Sequence, residues 1–282
     1  MQLIHSVAEL RQLIAQRRGD GARIGFVPTM GALHQGHLSL VELAQQRCDF
    51  VVVSVFVNPL QFGANEDFDK YPRTLGIDAN LLGEHDVDVL FAPSPAEVYP
   101  TSAPVKQLTA GVIGEKFEGE IRPGHFDGML TVVNRLFDIV QPDFAFFGQK
   151  DAQQVALVKQ MVSEQVVSGR RSPIELVVGP TVRNQSGLAL SSRNKFLTEQ
   201  DLPAALSLSK ALFAGSKGSS REEVLSLARA EISPEAKLEY LELVDADSFE
   251  PCEPGLSKAA LIVAAKVGEV RLIDNVYIDR KS

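Results

Sequence analysis

The densest chemistry in the chain lies in nine residues, Thr29-Met30-Gly31-Ala32-Leu33-His34-Gln35-Gly36-His37, which place two glycines and two histidines just after Pro28. Glycines let backbone approach a ligand closely, and a helix starting here would aim unpaired N–H groups and a partial positive charge at an anion. An imidazole adds a hydrogen-bond donor whether neutral or protonated, which suits a group that gains negative charge as it reacts. The chemistry these residues point to is a grip on phosphate. Two blander readings stand beside it. The segment could merely join a strand to a helix, or His34-x-x-His37 could ligate a metal, although no third ligand lies at a suitable local spacing.

The surrounding elements say where such a turn must sit. Apolar, β-branched runs at 23–27, 50–57, 87–91, 144–147 and 174–178 read as parallel strands buried on both faces. Between them 37–47, 77–84, 129–140 and 152–162 carry apolar residues at three- and four-residue spacing, as amphipathic crossover helices do. This alternation predicts an α/β fold, a Rossmann-like doubly wound parallel sheet, in which ligands bind beyond the carboxyl ends of the strands. The turn 29–37 follows the first run, 58–63 the second and Lys150 the fourth, so all three are expected at that end. Residues 1–13 show helical spacing.

After Gly179-Pro180 the texture changes to a polar loop reaching 194, helical stretches at 198–213 and 220–232, and strands at 238–244, 259–266 and 270–278. Helices followed by consecutive strands suggest a smaller α+β domain. The division is expected at 1–175 and 176–282, with the Gly- and Ser-rich 215–220 as an alternative hinge.

Composition limits the function classes. Lys and Arg total 28 of the 282 residues against 36 for Asp and Glu, and the formal charge of -8 disfavours a broad grip on nucleic acid or an anionic membrane. Any polyanion must be small and held locally. Cys48 and Cys252 have no metal-like spacing or framework of partners, which fits a reducing, cytoplasmic setting. The start of the chain lacks a signal peptide's basic start and unbroken apolar stretch, and no run is long enough to span a bilayer.

The turn resembles the T/H-x-G-H signature of the nucleotidyltransferase superfamily. Further segments narrow the likeness: Val57-Asn58-Pro59-Leu60-Gln61-Phe62-Gly63, Tyr71-Pro72-Arg73-Thr74, Arg122-Pro123-Gly124-His125-Phe126, Phe147-Gly148-Gln149-Lys150-Asp151-Ala152-Gln153-Gln154 and Leu188-Ala189-Leu190-Ser191-Ser192-Arg193-Asn194. In order and spacing they are similar to the pantoate–β-alanine ligase family. The resemblance implies ATP-dependent condensation of pantoate with β-alanine through an acyl adenylate, releasing pyrophosphate and then AMP. It assigns ATP to Met30, Gly31, Ala32, Leu33, His34, Gln35, Gly36 and His37, to Gly148, Gln149, Lys150 and Asp151, and to Val182, Leu190, Ser191, Ser192 and Arg193. Of these, His34, His37, Lys150 and Arg193 would be catalytic. Pantoate and β-alanine would meet Gln61, Gln154, Asn58 and Met30, magnesium would meet Asp78 and the ATP phosphates, and the protein would be a homodimer. Without the resemblance, Gln61 could instead cap its loop, Lys150 could be a solvated surface residue, and Asp78 could cap or decorate its helix.

No enzyme nucleophile is required by this reaction, and no Ser-His-Asp or Cys-His arrangement is evident locally. The rivals are a nucleotidyltransferase that keeps the nucleotide on its product and a non-catalytic nucleotide sensor. A dinucleotide-dependent dehydrogenase fits less well, because the first turn lacks G-x-G-x-x-G.

Overall fold

A computed structural model describes residues 1–63, 68, 71–255 and 258–279. The chain divides into two compact units, Met1–Gly148 with Leu157–Gly179, and Gln149–Ala156 with Pro180–Ser282.

The first unit is built on six strands: β1 (Gln2–Ile4), β2 (Ile24–Thr29), β3 (Phe50–Val55), β4 (Val89–Phe91), β5 (Phe144–Gly148) and β6 (Glu175–Gly179). They pair in the order β1-β4-β3-β2-β5-β6, and every pairing is parallel. Five strands are the apolar runs expected from the sequence, and parallel strands covered on both faces need such runs. The helices are α1 (Val7–Gly19), α2 (Gln35–Gln45), α3 (Leu75–Gly83), α4 (Pro95–Val98), α5 (Glu118–Ile121), α6 (His125–Val140) and, from Leu157 onward, α7 (Ala152–Val167), whose first residues belong to the second unit. On one face, Leu38, Val41 and Ala44 of α2 and Leu82 of α3 pack against Val27, Val51, Val53 and Phe146 of the strands. Phe137 of α6 meets Phe26 edge to face, with ring centroids 6.3 Å apart.

From β2 the chain builds outward through β3 and β4, and then resumes with β5 on the other side of β2. The carboxyl ends of β2 and β5 therefore flank the topological switch point, where open α/β sheets bind their ligands. The turn 29–37 leaves β2 at that place.

The sequence reading misses β1. Residues 2–4 are too few to show a run, and only the side chain of Ile4 is buried, so the segment merges with the helical pattern that the structure begins at Val7. Helix α6 starts at His125, four residues ahead of its apolar periodicity, because Gly124 supplies a left-handed entry at φ +80°. Strand β6 pairs in the large sheet up to Gly179, and the chain returns to the second unit at Pro180.

The second unit contains α8 (Leu202–Gly215), α9 (Arg221–Glu231), β7 (Ala236–Asp245), β8 (Ala259–Val267) and β9 (Val270–Ile278). The strands form an antiparallel sheet in that order, with Leu243 opposite Leu261 and Leu261 opposite Val276. Leu208 and Leu212 of α8 and Val224 and Ala228 of α9 share one core with Leu261 and Val263 of the central strand. Ser220 caps α9 by accepting the Glu223 N–H at 3.2 Å. Among the described residues, no helix is long and apolar enough to cross a membrane.

Candidate active site

The chain must bend sharply between Thr29, the last residue of β2, and Gln35, the first of α2. Gly31 makes the bend at φ +83°, and a Cβ there would stand 2.9 Å from Val55 Cγ1 and 3.1 Å from Asp78 Oδ2. Backbone angle and space both demand glycine. Ala32 follows at φ +52°, a left-handed conformation that costs a non-glycine residue about 1 to 2 kcal/mol. Such strain persists only where neighbours enforce it. Here Asp78 does so, accepting the N–H of Ala32 at 3.1 Å and that of Leu33 at 2.9 Å. The Thr74 hydroxyl donates to the same carboxylate at 3.1 Å. On the strand side, the Thr29 hydroxyl donates to the Ser54 carbonyl at 2.7 Å and accepts the Gly31 N–H at 3.1 Å.

This arrangement corrects the expectation that Asp78 ligates magnesium. Its side chain is 1% exposed, and both oxygens are engaged by backbone or hydroxyl donors. It braces the turn. Among the described residues, no group of three or more His, Cys, Asp or Glu side chains is arranged to hold a metal. The donors present do not fit a protein-held magnesium site.

His34 is the N-cap of α2, and its Nδ1 accepts the Gly36 N–H at 3.1 Å. His37 reaches back, its Nδ1 accepting the His34 N–H at 3.2 Å, so two imidazoles form a reciprocal capping box. Their ring centroids lie 4.2 Å apart. A backbone N–H must meet a lone pair, so each Nδ1 is unprotonated and the neutral ring carries its proton on Nε2. The helix start thus selects the tautomer that donates through Nε2. Met30, Leu33, Gly36 and His37 are half-buried, and Gln35 is exposed.

At the end of β3 the site gains a second part. Asn58 is 0% exposed, and its amide donates to Gln61 Oε1 at 3.1 Å and to the Gly128 carbonyl at 3.0 Å. Its Oδ1 accepts the Tyr99 hydroxyl at 2.8 Å and the Leu60 N–H at 3.3 Å. Burial pushes the Tyr99 phenol well above its ordinary range, so it stays a donor. Protein groups take both hydrogens and both lone pairs of Asn58, so the substrate contact expected of it gives way to a bracing role. What it braces is Gln61: with Oε1 turned toward Asn58, Nε2 is the donor end of that amide. His125 Nδ1 donates to the Gln61 carbonyl at 2.9 Å, while its Nε2 accepts from Arg122 Nη1 at 3.1 Å. Gly128 lets α6 come so close that a Cβ there would lie 1.9 Å from the Leu60 carbonyl oxygen.

Gly148 ends β5, half-buried, within the first unit. The remaining expected site residues belong to the second. Gln149–Asp151 form one 3-10 turn, in which Lys150 Nζ pairs with Asp151 Oδ1 at 3.0 Å. Gln154, half-buried, lies early in α7. Residues 182–190 form a small hairpin in which Leu190 N–H donates to the Val182 carbonyl at 2.9 Å and Arg183 bridges Ala189. It leads into the 3-10 helix Ser192–Phe196, which Ser191 caps by accepting the Arg193 N–H at 3.3 Å. Ser191 and Ser192 are half-buried, and Arg193 is exposed.

Sequence reasoning missed the bracing residues Thr74 and Tyr99, and gave His125 and Arg122 no role. Only for Asn58 is there a local signal, since an Asn before Pro is a common turn cap.

Fold and turn together define a class, an open parallel α/β protein with an anion-receptive turn at its switch point. The sequence matches the family described as Pantoate-beta-alanine ligase over residues 2–277. It is 47% identical to a pantothenate synthetase of Nocardioides sp., across 97% of this chain and 84% of the relative, and 46% identical to one of Pseudomonas putida, across 99% and 98%. The crystal structure of pantothenate synthetase from Thermus thermophilus superposes with a TM-score of 0.89 at 44% identity, covering 99% of both chains. The pantoate-beta-alanine ligase of Francisella tularensis, described as complexed with beta-gamma ATP and beta-alanine, superposes with a TM-score of 0.79 at 37% identity, covering 100% of this chain and 99% of the other. The chain belongs to the pantoate–β-alanine ligase family.

Proposed function

We propose that this chain condenses (R)-pantoate with β-alanine, consuming ATP and giving pantothenate, AMP and pyrophosphate. In the first step a pantoate carboxylate oxygen attacks the α-phosphorus of ATP, forming pantoyl adenylate and expelling pyrophosphate. In the second, the β-alanine amine attacks the acyl carbon, the C–N bond forms, the C–O bond to AMP breaks, and the amine loses a proton. Neither step needs an enzyme nucleophile.

The observation that carries this reading is the braced turn Thr29–His37, whose two histidines are fixed as Nε2 donors at a helix start. Donors set in place before charge develops stabilise a transition state without reorganising. His34 and His37 would act on the α-phosphate, and Lys150 would neutralise it as a point charge. Ser191, Ser192 and Arg193 would receive the departing pyrophosphate. Met30 to Gln35, Gly36, Gly148, Gln149, Asp151, Val182 and Leu190 would complete the ATP contacts. Gln61, through Nε2, and Gln154 would hold pantoate, with Met30 beside it. Magnesium would arrive on ATP's own phosphate oxygens, since Asp78 is committed to the turn. The enzyme would work in the cytoplasm as a homodimer, for which light scattering should return twice the 30.7 kDa of the chain.

The test is AMP release measured across combinations of hydroxy acids and amines. AMP forming only when pantoate and β-alanine are both present, in step with amide, supports the reading; nucleotide retained on the product would overturn it.

A further inference from the structure

In the second unit, the amide of Asn275 on β9 is spent on the turn that carries Lys150. Its Nδ2 donates to the Gln149 carbonyl at 2.9 Å and to the Lys150 carbonyl at 2.8 Å, and its Oδ1 accepts from Gln149 Nε2 at 3.3 Å. Two carbonyls can only accept, so the chemistry fixes which end of the amide faces them. Asn275 is 2% exposed, and a buried amide held this way has little freedom to relax. Gln149 and Lys150 stand just ahead of α7, where a single 3-10 turn has little hydrogen bonding of its own to define it.

The neighbouring residue on β9 makes a second tie. Asp274, 5% exposed, takes a two-pronged ion pair from Arg183, through Nη1 to Oδ2 and through Nη2 to Oδ1 at 2.9 Å. Arg183 also donates to the Gly187 carbonyl at 3.2 Å, and its guanidinium lies over the Phe213 ring, 5.1 Å from the centroid. The Asp274 carboxylate in turn accepts the Asn275 N–H at 2.8 Å. Arg183 sits in the 182–190 hairpin that leads into Ser191, Ser192 and Arg193. Two consecutive side chains of one strand therefore fasten both phosphate-directed segments of this unit.

We propose that Asn275 is a positioning residue for adenylyl transfer: it sets the Lys150 ammonium by clamping the carbonyls of Gln149 and Lys150, while Asp274 and Arg183 tie the Ser191–Arg193 segment to the same strand. This rests on the role given to Lys150 under the proposed function. Removing the clamp leaves the lysine present but loosely placed, and misplacement of a charge by about 1 Å can cost about a hundredfold in rate.

The test is exchange of labelled pyrophosphate into ATP in the presence of pantoate, at saturating substrates, for the parent, Asn275→Ala, Lys150→Ala and the double variant, each with its unfolding midpoint. The expected result is an Asn275→Ala rate at least about 10-fold below the parent with Michaelis constants changed less than about threefold, and little further loss when Asn275→Ala is added to Lys150→Ala. A rate within twofold of the parent, or the same fold-loss in both backgrounds, would overturn the proposal. If Asn275→Ala does not fold, Asn275→Asp, which keeps the volume and loses the paired donors, is read by the same two outcomes. Failure of the underlying reading shows separately, as full exchange activity in Lys150→Ala alone.

Discussion

Asp78 bears on the account most at the scale of single residues. A carboxylate that accepts two backbone N–H groups and a hydroxyl while 1% exposed is a structural anion, and its removal strands those donors. Asp78→Ala is expected to lower stability by about 2 to 4 kcal/mol in urea unfolding and to weaken ATP use. Excess magnesium should not restore activity; restoration by magnesium would mean the residue is a ligand after all. For His37→Ala and Lys150→Ala, turnover should fall by about a hundredfold or more with a smaller change in the pantoate Michaelis constant, because their donors matter most in the transition state. A loss confined to binding would contradict those roles. Gln61→Ala should raise the pantoate Michaelis constant about 10-fold, and Asn58→Ala should do so too, without adding to Gln61→Ala, since Asn58 acts by orienting it.

Elements are where the sequence was most and least legible. Five strands could be read because a parallel strand covered on both faces must be a continuous apolar run, whereas β1 could not, since three residues with one buried side chain leave no pattern. The turn Thr29–His37 was readable because its glycines and histidines are contiguous. Its brace was not: Asp78 lies 45 residues beyond Leu33, and the Asn58 amide is consumed by Tyr99 and Gly128, 41 and 70 residues away. Side-chain types at fixed spacing reveal which residues carry chemistry, but only the folded chain reveals which of them are spent on holding the others. Helix α6 and the 58–61 turn give a test at this scale. Gly128→Ala would push a Cβ against the Leu60 carbonyl, so it should cost about 1 to 3 kcal/mol of stability and raise the pantoate Michaelis constant through the displaced Gln61. An unchanged constant would separate α6 from the site.

At the scale of the whole molecule, each of the two units has its own core. Cys48 packs in the core of the first unit. Burial pushes the Cys48 thiol from 9.0 up to about 11, with its side chain 8% exposed. The folded state holds its proton more tightly than the unfolded one, so this group's contribution to stability is present below about pH 9 and is lost as pH rises toward 11. Unfolding midpoints should therefore drop as pH rises from about 9 to about 11, and the drop should shrink in Cys48→Ala; an equal drop in both would assign it to other groups. Activation of the carboxylate by adenylation is checked by incubating the protein with ATP and pantoate and withholding β-alanine. A bound pantoyl adenylate with one equivalent of pyrophosphate is expected; an acyl phosphate with ADP would overturn adenylation.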